Sequence, residues 1–245
     1  VVAVASGQGG VGKSTVSSNL ALALAKKGFS VGLLDADIYG PSQQLMMGAT
    51  DEPEGDEKGI YPVEAPGGVK VMSFGFLVDA DQPVIWRGPM LQKALEQFFG
   101  DVYWGELDYL VVDLPPGTGD VAITLCQNVP LAGTIIVTTP QDVALIDARK
   151  GLKMLTKLDS PVLGIVENMS GFECPKCGHV EYIFGSDGGA KTADELGLPL
   201  LGSVPLDPHV VAGGDSGKPV VIARPESASA KAFVEIADKV AKATE

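Results

Sequence analysis

Residues 1–29, "VVAVASGQGGVGKSTVSSNLALALAKKGF", constrain the fold more than any other part of the chain. A short β-branched apolar run leads into a glycine loop, and a helical pattern follows. "GQGGVGKS" satisfies G-x-x-x-x-G-K-[ST] through Gly7, Gly12, Lys13 and Ser14. Glycines in such a loop let successive backbone N–H groups turn inward around phosphates. The lysine reaches the β and γ oxygens, and the serine hydroxyl ligates Mg²⁺. The following helix points its positive end at the same anion. A strand before and a helix after are the context this motif requires. The bland alternative, a glycine-rich turn with no ligand, keeps the fold and loses the chemistry.

The rest of the chain repeats the alternation. Apolar runs recur as "VGLLDAD", "VKVMSFG", "YLVVDLP", "GTIIVTTP", "PVLGIVEN" and "LPLLGSVP". Most lack strict two-residue alternation, so both faces are expected to be buried, as in a parallel sheet covered by helices. Between them lie helical patterns. Residues 14–27 place Val16, Leu20 and Leu24 on one stripe, with Gly28 as the stop. "GPMLQKALEQFFG", "DVALIDARKGLKMLTKL" and "GAKTADELG" read the same way. The tail, "ESASAKAFVEIADKVAKATE", sets Phe233, Ile236, Ala237 and Val240 on one face. The expectation is a doubly wound α/β fold, with a mainly parallel sheet and helices on both faces. With no repeat and no linker, residues 1–245 read as one P-loop ATPase domain. Residues 51–60, "DEPEGDEKGI", read as a mobile acidic surface loop.

Composition narrows the partners. Lys plus Arg is 18 against 31 Asp plus Glu, a net charge of −13. Such a surface repels nucleic acid and anionic membrane, so neither is an expected partner. No apolar run approaches the length of a membrane span. "VVAVA" has no basic flank and runs straight into the glycine loop, so it reads as a strand rather than a secretory leader. The chain opens on Val rather than Met, which leaves room for a preceding segment. Three cysteines are too few for a disulfide framework, and a reducing, cytoplasmic location is expected.

A nucleotidase needs carboxylates near the γ-phosphate, to hold Mg²⁺ through water and to orient an attacking water. "VGLLDAD" ends with Asp35 and Asp37, and "YLVVDLPPGTGD" carries Asp113 after four apolar residues. Strand ends of this kind meet at the ligand-binding edge of a parallel sheet. One such Asp alone reads equally well as a helix cap or turn former. Three, downstream of a phosphate loop, favour the metal site. Gly117 and Gly119 in "PPGTGD" suit a loop that senses the γ-phosphate.

"ECPKCGHV" sets Cys174 and Cys177 in a C-x-x-C turn, inside a segment near 171–184 that reads as a metal-binding insertion. The turn points two thiolates at one metal, as in a zinc knuckle or an iron–sulfur site. Both favour four such ligands, and this chain supplies two. The pair reads as half of a dimer-bridging site for a [4Fe–4S] cluster or Zn²⁺, as a redox dithiol, as a site completed by His179 and Cys126, or as a plain turn. Cys126 sits among apolar residues of a helical pattern, a core position. His179 and His209 read as surface residues.

Taken together, "GGVGKST", "LLDADIYGPS", "VVDLPPGTGD", "TTPQDVAL" and "VENMSGFECPKCG" closely resemble the Mrp/ApbC family. Its relatives are the deviant-Walker-A, MinD/ParA-like (SIMIBI) NTPases. The motifs run from residue 1 to about residue 210, in a specific order. The resemblance implies a homodimeric ATPase that carries an iron–sulfur cluster and delivers it to apo-proteins. It implies ATP and Mg²⁺ as ligands, with Gly7, Gln8, Gly9, Gly10, Val11, Gly12, Lys13, Ser14 and Thr15 around the phosphates. By the same likeness Asp37 orients the attacking water, Asp35 and Asp113 hold the Mg²⁺ shell with Ser14, and Asn168 hydrogen-bonds adenine. One position departs. The family's usual loop is G-K-G-G-V-G-K-S, whose first lysine reaches across the dimer to the partner's phosphates. Here that position is Gln8. Glutamine hydrogen-bonds but brings no positive charge to the developing phosphate charge, so slow hydrolysis is expected.

Other functions fit this fold. A MinD-like spatial organiser, with the C-x-x-C as structural zinc, needs a C-terminal membrane helix with a basic face. The tail here is Ala-rich and of mixed charge, and is expected to pack on the domain. A ParA-like organiser needs a basic DNA face. A small-molecule kinase or synthetase leaves the cysteines idle. Fold alone does not separate these.

Overall fold

The computed structural model describes residues 1–57, 59–77 and 88–245. The chain opens with β1 (Val2–Ser6), α1 (Lys13–Lys26), β2 (Val31–Asp35) and α2 (Gln43–Met46). A hairpin of β3 (Gly55–Asp56) and β4 (Gly59–Ile60) precedes β5 (Val63–Ala65) and β6 (Val69–Ser73). Then come α3 (Gly88–Gly100), β7 (Tyr109–Asp113), α4 (Asp120–Asn128), β8 (Gly133–Thr138), α5 (Asp142–Lys157) and β9 (Val162–Asn168). A second small hairpin, β10 (Phe172–Glu173) and β11 (Val180–Glu181), leads into α6 (Gly188–Leu196) and β12 (Leu200–Val204). The chain closes with α7 (Pro208–Asp215), α8 (Val220–Ala223) and α9 (Ala228–Thr244).

The main sheet has eight strands in the order β12-β9-β8-β1-β7-β2-β6-β5. Every pairing is parallel except that of β5 with β6 at one edge. The seven parallel strands are the seven apolar runs of the sequence. Their residues alternate between two cores. Val2, Val4, Val31, Leu33 and Val111 join one core with Val16, Leu20 and Leu24 of α1 and Phe233, Ile236, Ala237 and Val240 of α9. Ala3, Leu34, Leu110 and Val112 face the other, with Leu95 and Phe98 of α3 and Leu125 of α4. Beside it, α5 packs Ala148, Leu152 and Leu155 against Ile136 of β8. Burial on both faces explains why the strands read as continuous apolar runs.

The expected helix stop holds. Gly28 has φ +94°, and its N–H donates to the Ala25 carbonyl at 2.9 Å. The tail packs as expected, with Phe233, Ile236, Ala237 and Val240 fully buried. One expectation changes. Inside the segment expected to be a loop, Gly55–Asp56 and Gly59–Ile60 pair antiparallel as β3 and β4. The hairpin is tied to the chain after α3: Ile60 N–H donates to the Asp101 carbonyl at 2.8 Å, and Tyr103 N–H to the Ile60 carbonyl at 2.8 Å. Tyr61 and Tyr103 meet edge to face, with centroids 5.7 Å apart. The acidic composition hid two tyrosine anchors just outside or far from the segment.

The chain reverses its winding direction around β1, which lies between β7 and β8. Ligands of open α/β sheets bind beyond the carboxyl ends of the strands at such a switch point. The glycine loop leaves β1 at that place.

Candidate functional site

Between β1 and α1 the backbone makes the turns that glycine permits. Gly10 and Gly12 both have φ +82°. Gly12 is the N-cap of α1 and no side chain caps the helix, so its first amides are free of side-chain competition. Two glycines are also demanded by neighbours. A Cβ on Gly7 would lie 2.1 Å from the carbonyl carbon of Asp147, because α5 crosses the loop there. A Cβ on Gly12 would lie 2.2 Å from Asn168 Nδ2. Gly9 and Gly10 face open space, with nothing within 4 Å of an added Cβ. Within one chain, then, nothing requires glycine at position 9.

A cleft of about 230 Å³ opens at this loop, lined by Gln8, Gly9, Gly10, Lys13, Ser14, Thr15, Asp37 and Pro116 among others. Val11 is buried beneath it. Lys13 is 6% exposed and holds the centre. Its Nζ donates to Asp113 Oδ1 at 2.7 Å and lies 3.8 Å from Asp37 Oδ2 and 3.4 Å from Ser14 Oγ. Sequence reading placed Lys13, Ser14, Asp37 and Asp113 in one site, and the structure brings them together.

Asp35 and Asp113 are register partners on the adjacent strands β2 and β7. Both are fully buried. Burial pushes the Asp35 carboxyl up to about 7, and the neighbouring Asp113 carboxylate adds to the rise, against the opposing pull of three backbone amides. Those amides belong to Gln43, Ser42 and Asp37, and Ser73 Oγ donates as well, at 3.0 Å. Asp35 thus anchors the loop between β2 and α2. Asp37 is also raised, first by burial, with Lys13 pulling the other way and Asp113 adding to the rise.

Two further residues hold Asp113, and neither was marked by motif. Ser17, one turn after Lys13, donates through Oγ to Asp113 Oδ1 at 2.8 Å. Gln43 donates through Nε2 to Asp113 Oδ2 at 2.9 Å and to the Ser14 carbonyl at 2.9 Å. Ser17 was findable as a polar residue one helical turn from the loop lysine. Gln43 had no signal, since glutamine in a polar loop is unremarked.

A magnesium ion fits these residues. A serine hydroxyl, three carboxylates and the buried Gln43 Oε1, which has no partner among the described residues, are the hard oxygen donors Mg²⁺ and its waters prefer.

Asn168, at the end of β9, donates through Nδ2 to the Val11 carbonyl at 2.9 Å. It pins the glycine loop, and this is the one hydrogen bond of its side chain among the described residues. Its neighbour Glu167 is buried, and its Oε2 accepts from Gly189 N–H at 2.5 Å, at the start of α6. Burial raises this carboxyl too. Adjacent residues of β9 therefore hold the phosphate loop and the helix that follows the cysteine hairpin.

Cys174 and Cys177 sit at the tip of the β10–β11 hairpin. Cys174 N–H donates to the His179 carbonyl at 2.8 Å, and Gly178 N–H to the Cys174 carbonyl at 2.8 Å, with Gly178 at φ +72°. The amides of Lys176 and then Cys177, followed by the Cys177 thiol, hold the Cys174 thiol below its ordinary range. That pattern favours thiolate and suits a soft metal. Cys177 is exposed and Cys174 partly so. Among the described residues no third His, Cys, Asp or Glu joins them to complete a metal site. His179 is exposed and lies 3.3 Å from Glu181 Oε2. Cys126 is half-buried on α4, and burial raises its thiol.

Comparisons with known proteins agree with this geometry. The family model described as "ParA: NUBPL iron-transfer P-loop NTPase" matches residues 1–241. An iron–sulfur cluster carrier protein of Synechocystis is 54% identical, over 98% of this chain and 70% of its own length. The mouse iron–sulfur cluster transfer protein NUBPL is 51% identical, over 99% of this chain and 76% of its own. Among solved structures, a nucleotide-binding protein from Archaeoglobus fulgidus in complex with ADP superposes with a TM-score of 0.80 at 38% identity, covering 92% of this chain and 88% of that one. The cell-division ATPase MinD of Pyrococcus furiosus superposes at 0.73 with 25% identity, covering 98% of each chain. With its phosphate loop, strand-end carboxylates and nearly full-length match, the chain belongs to the NUBPL iron-transfer P-loop NTPase family.

Proposed function

We propose that this protein is an ATP-dependent iron–sulfur cluster carrier, whose cargo is held by Cys174 and Cys177 and handed to apo-proteins. The observation that carries the reading is the pairing of a complete phosphate loop with a C-x-x-C hairpin that has only two metal ligands of its own. Four thiolates are the ordinary complement of a [4Fe–4S] cluster or a structural zinc. Two identical chains supply four, so the proposed working form is a homodimer. The names of its relatives as cluster carriers favour iron–sulfur cargo over zinc.

At the nucleotide end, Gly7 to Thr15 surround the phosphates of ATP. Lys13 turns from Asp113 to the β and γ oxygens, and Asn168 keeps the loop in place while its free amide groups meet adenine. Magnesium, when bound, neutralises phosphate charge. Ser14 would be its direct protein ligand, and Asp35 and Asp113 would accept hydrogen bonds from its waters. Asp37, the least buried of the three carboxylates, accepts a hydrogen bond from the attacking water. Gln8 lines the cleft without charge, and hydrolysis is slow for that reason. Residues 1–245 act as one ATPase domain with a cysteine insertion at 171–184. The reading places the protein in the cytoplasm, without nucleic-acid or membrane partners; among the described residues no helix is long and apolar enough to cross a membrane.

A spatial organiser remains the second reading, favoured by the MinD fold likeness. Transfer separates the two. Cluster-loaded protein is mixed with an apo iron–sulfur enzyme, with and without MgATP. The carrier reading expects recovery of enzyme activity faster than free iron and sulfide give, and its loss in Cys177→Ala. Recovery no faster than the free ions would reject it.

A further inference from the structure

The two buried carboxylates at the heart of the site are held by one residue in common. Gln43 donates its backbone N–H to Asp35 Oδ2 at 3.0 Å and its side-chain Nε2 to Asp113 Oδ2 at 2.9 Å. The same Nε2 reaches the carbonyl of Ser14 at 2.9 Å. It stands between two carboxyl groups on adjacent strands and ties both to the first turn of α1. The side chain is fully buried. Its orientation is set by chemistry: with the amide turned over, an oxygen would face the carboxylate of Asp113 and the carbonyl of Ser14.

That orientation leaves Oε1 buried with no partner among the described residues. A buried acceptor without a donor costs about 1–3 kcal/mol, so a fold that keeps one calls for a reason. An amide oxygen lies about 2.3 Å from its own nitrogen. Oε1 therefore lies close to the Ser14 carbonyl and the Asp113 carboxylate, both acceptors. The nearby donors Lys13 Nζ and Ser17 Oγ are bonded to Asp113, and none among the described residues reaches Oε1. The donor that such a place can receive is water, and a water bound to Mg²⁺ is a strong one.

We propose that Gln43 is a positioning residue of the magnesium–nucleotide site: Nε2 fixes Asp113 against the phosphate loop, and Oε1 accepts a hydrogen bond from a water of the magnesium shell. The inference rests on the P-loop reading given above. Gln43 begins α2, at the end of the loop that carries Asp37. Filling its free acceptor would draw that loop toward the metal, so the loop would register Mg²⁺-nucleotide through this side chain.

The test is the ratio of ADP affinities with and without Mg²⁺, measured by calorimetry on the full chain. The ratio is internal to each variant, so a fraction of unfolded protein does not change it. Whatever its effect on metal-free ADP affinity, Gln43→Met should lose about tenfold of the magnesium enhancement, the scale of one charge-assisted hydrogen bond. Gln43→Glu, kept protonated by burial and by the Asp113 carboxylate, keeps both a donor to Asp113 and an acceptor, and should keep the enhancement at the parent's value. A parental enhancement in Gln43→Met overturns the proposal. If that variant shows no cooperative melt, a diminished enhancement in folded Gln43→Glu overturns it instead. Failure of the unsubstituted chain to bind ADP at all would remove the P-loop reading, and this inference with it.

Discussion

Lys13 and Asp35 show how much of this site is electrostatic. Lys13 is buried between Asp113 and Asp37, and Lys13→Ala leaves those carboxylates facing each other and the phosphates. ATP binding should fall beyond detection by calorimetry; undiminished affinity would contradict the assigned loop. Asp35 titrates near 7 because burial and Asp113 disfavour its ionised form. In the unfolded chain it titrates in the ordinary carboxylate range, so the folded state holds the extra proton between the two values. Stability from this group is therefore lost as pH rises from about 4 through 7. Asp35→Asn never ionises. Its melting temperature, relative to the parent, should rise between pH 5 and pH 8, and a difference independent of pH would count against the assignment. Gln8 is the other residue-scale test. Gln8→Lys should raise ATPase turnover by about tenfold or more if missing charge limits the rate. An equal or lower rate would mean that the charge comes from elsewhere. At this scale Lys13, Asp37 and Asp113 were legible because motif spacing encodes them. Gln43 and Glu167 were not, because their partners are fixed by tertiary contacts with residues far away in the sequence.

The phosphate loop is an element shaped by what crosses it. Gly7 is required by the backbone of α5, and Gly12 by Asn168 and by its own left-handed conformation. Gly12→Ala should lose nucleotide binding and about 1–3 kcal/mol of stability. Gly9 is different, since its backbone is not left-handed and its surroundings are open. Gly9→Ala should leave the melting temperature unchanged. If position 9 serves close approach of a second chain, the variant should still lose ATP-dependent dimerisation, measured by light scattering. Normal dimerisation would place the second chain elsewhere. The long elements were readable from periodicity: the seven parallel strands and the helices α1, α3, α5, α6 and α9 all match their apolar patterns. The short ones were not. Two-residue strands such as β3 and β10 have no period to detect, and α2 and α8, of four residues each, are held by distant side chains: Asp35 accepts from Gln43 N–H and Asn19 from Val221 N–H.

For the molecule as a whole, the phosphate loop and the cysteine hairpin are joined through the end of β9. Asn168 holds the loop, Glu167 holds the start of α6, and the chain between them and α6 forms the hairpin. In the proposed function, nucleotide and cargo would therefore bear on one short segment. A dimer would bring two such segments together, and metal binding and dimerisation would then be linked by mass action. The C-x-x-C turn was legible in the spacing, but the number of chains that would complete a metal site there is not written in one chain's spacing. The decisive measurement is anaerobic reconstitution with iron and sulfide, read as iron and sulfide content against molar mass in solution. The account predicts about one [4Fe–4S] cluster per two chains, absent in both Cys174→Ala and Cys177→Ala. A cluster that forms on a single chain, or a chromophore that survives both substitutions, would contradict it.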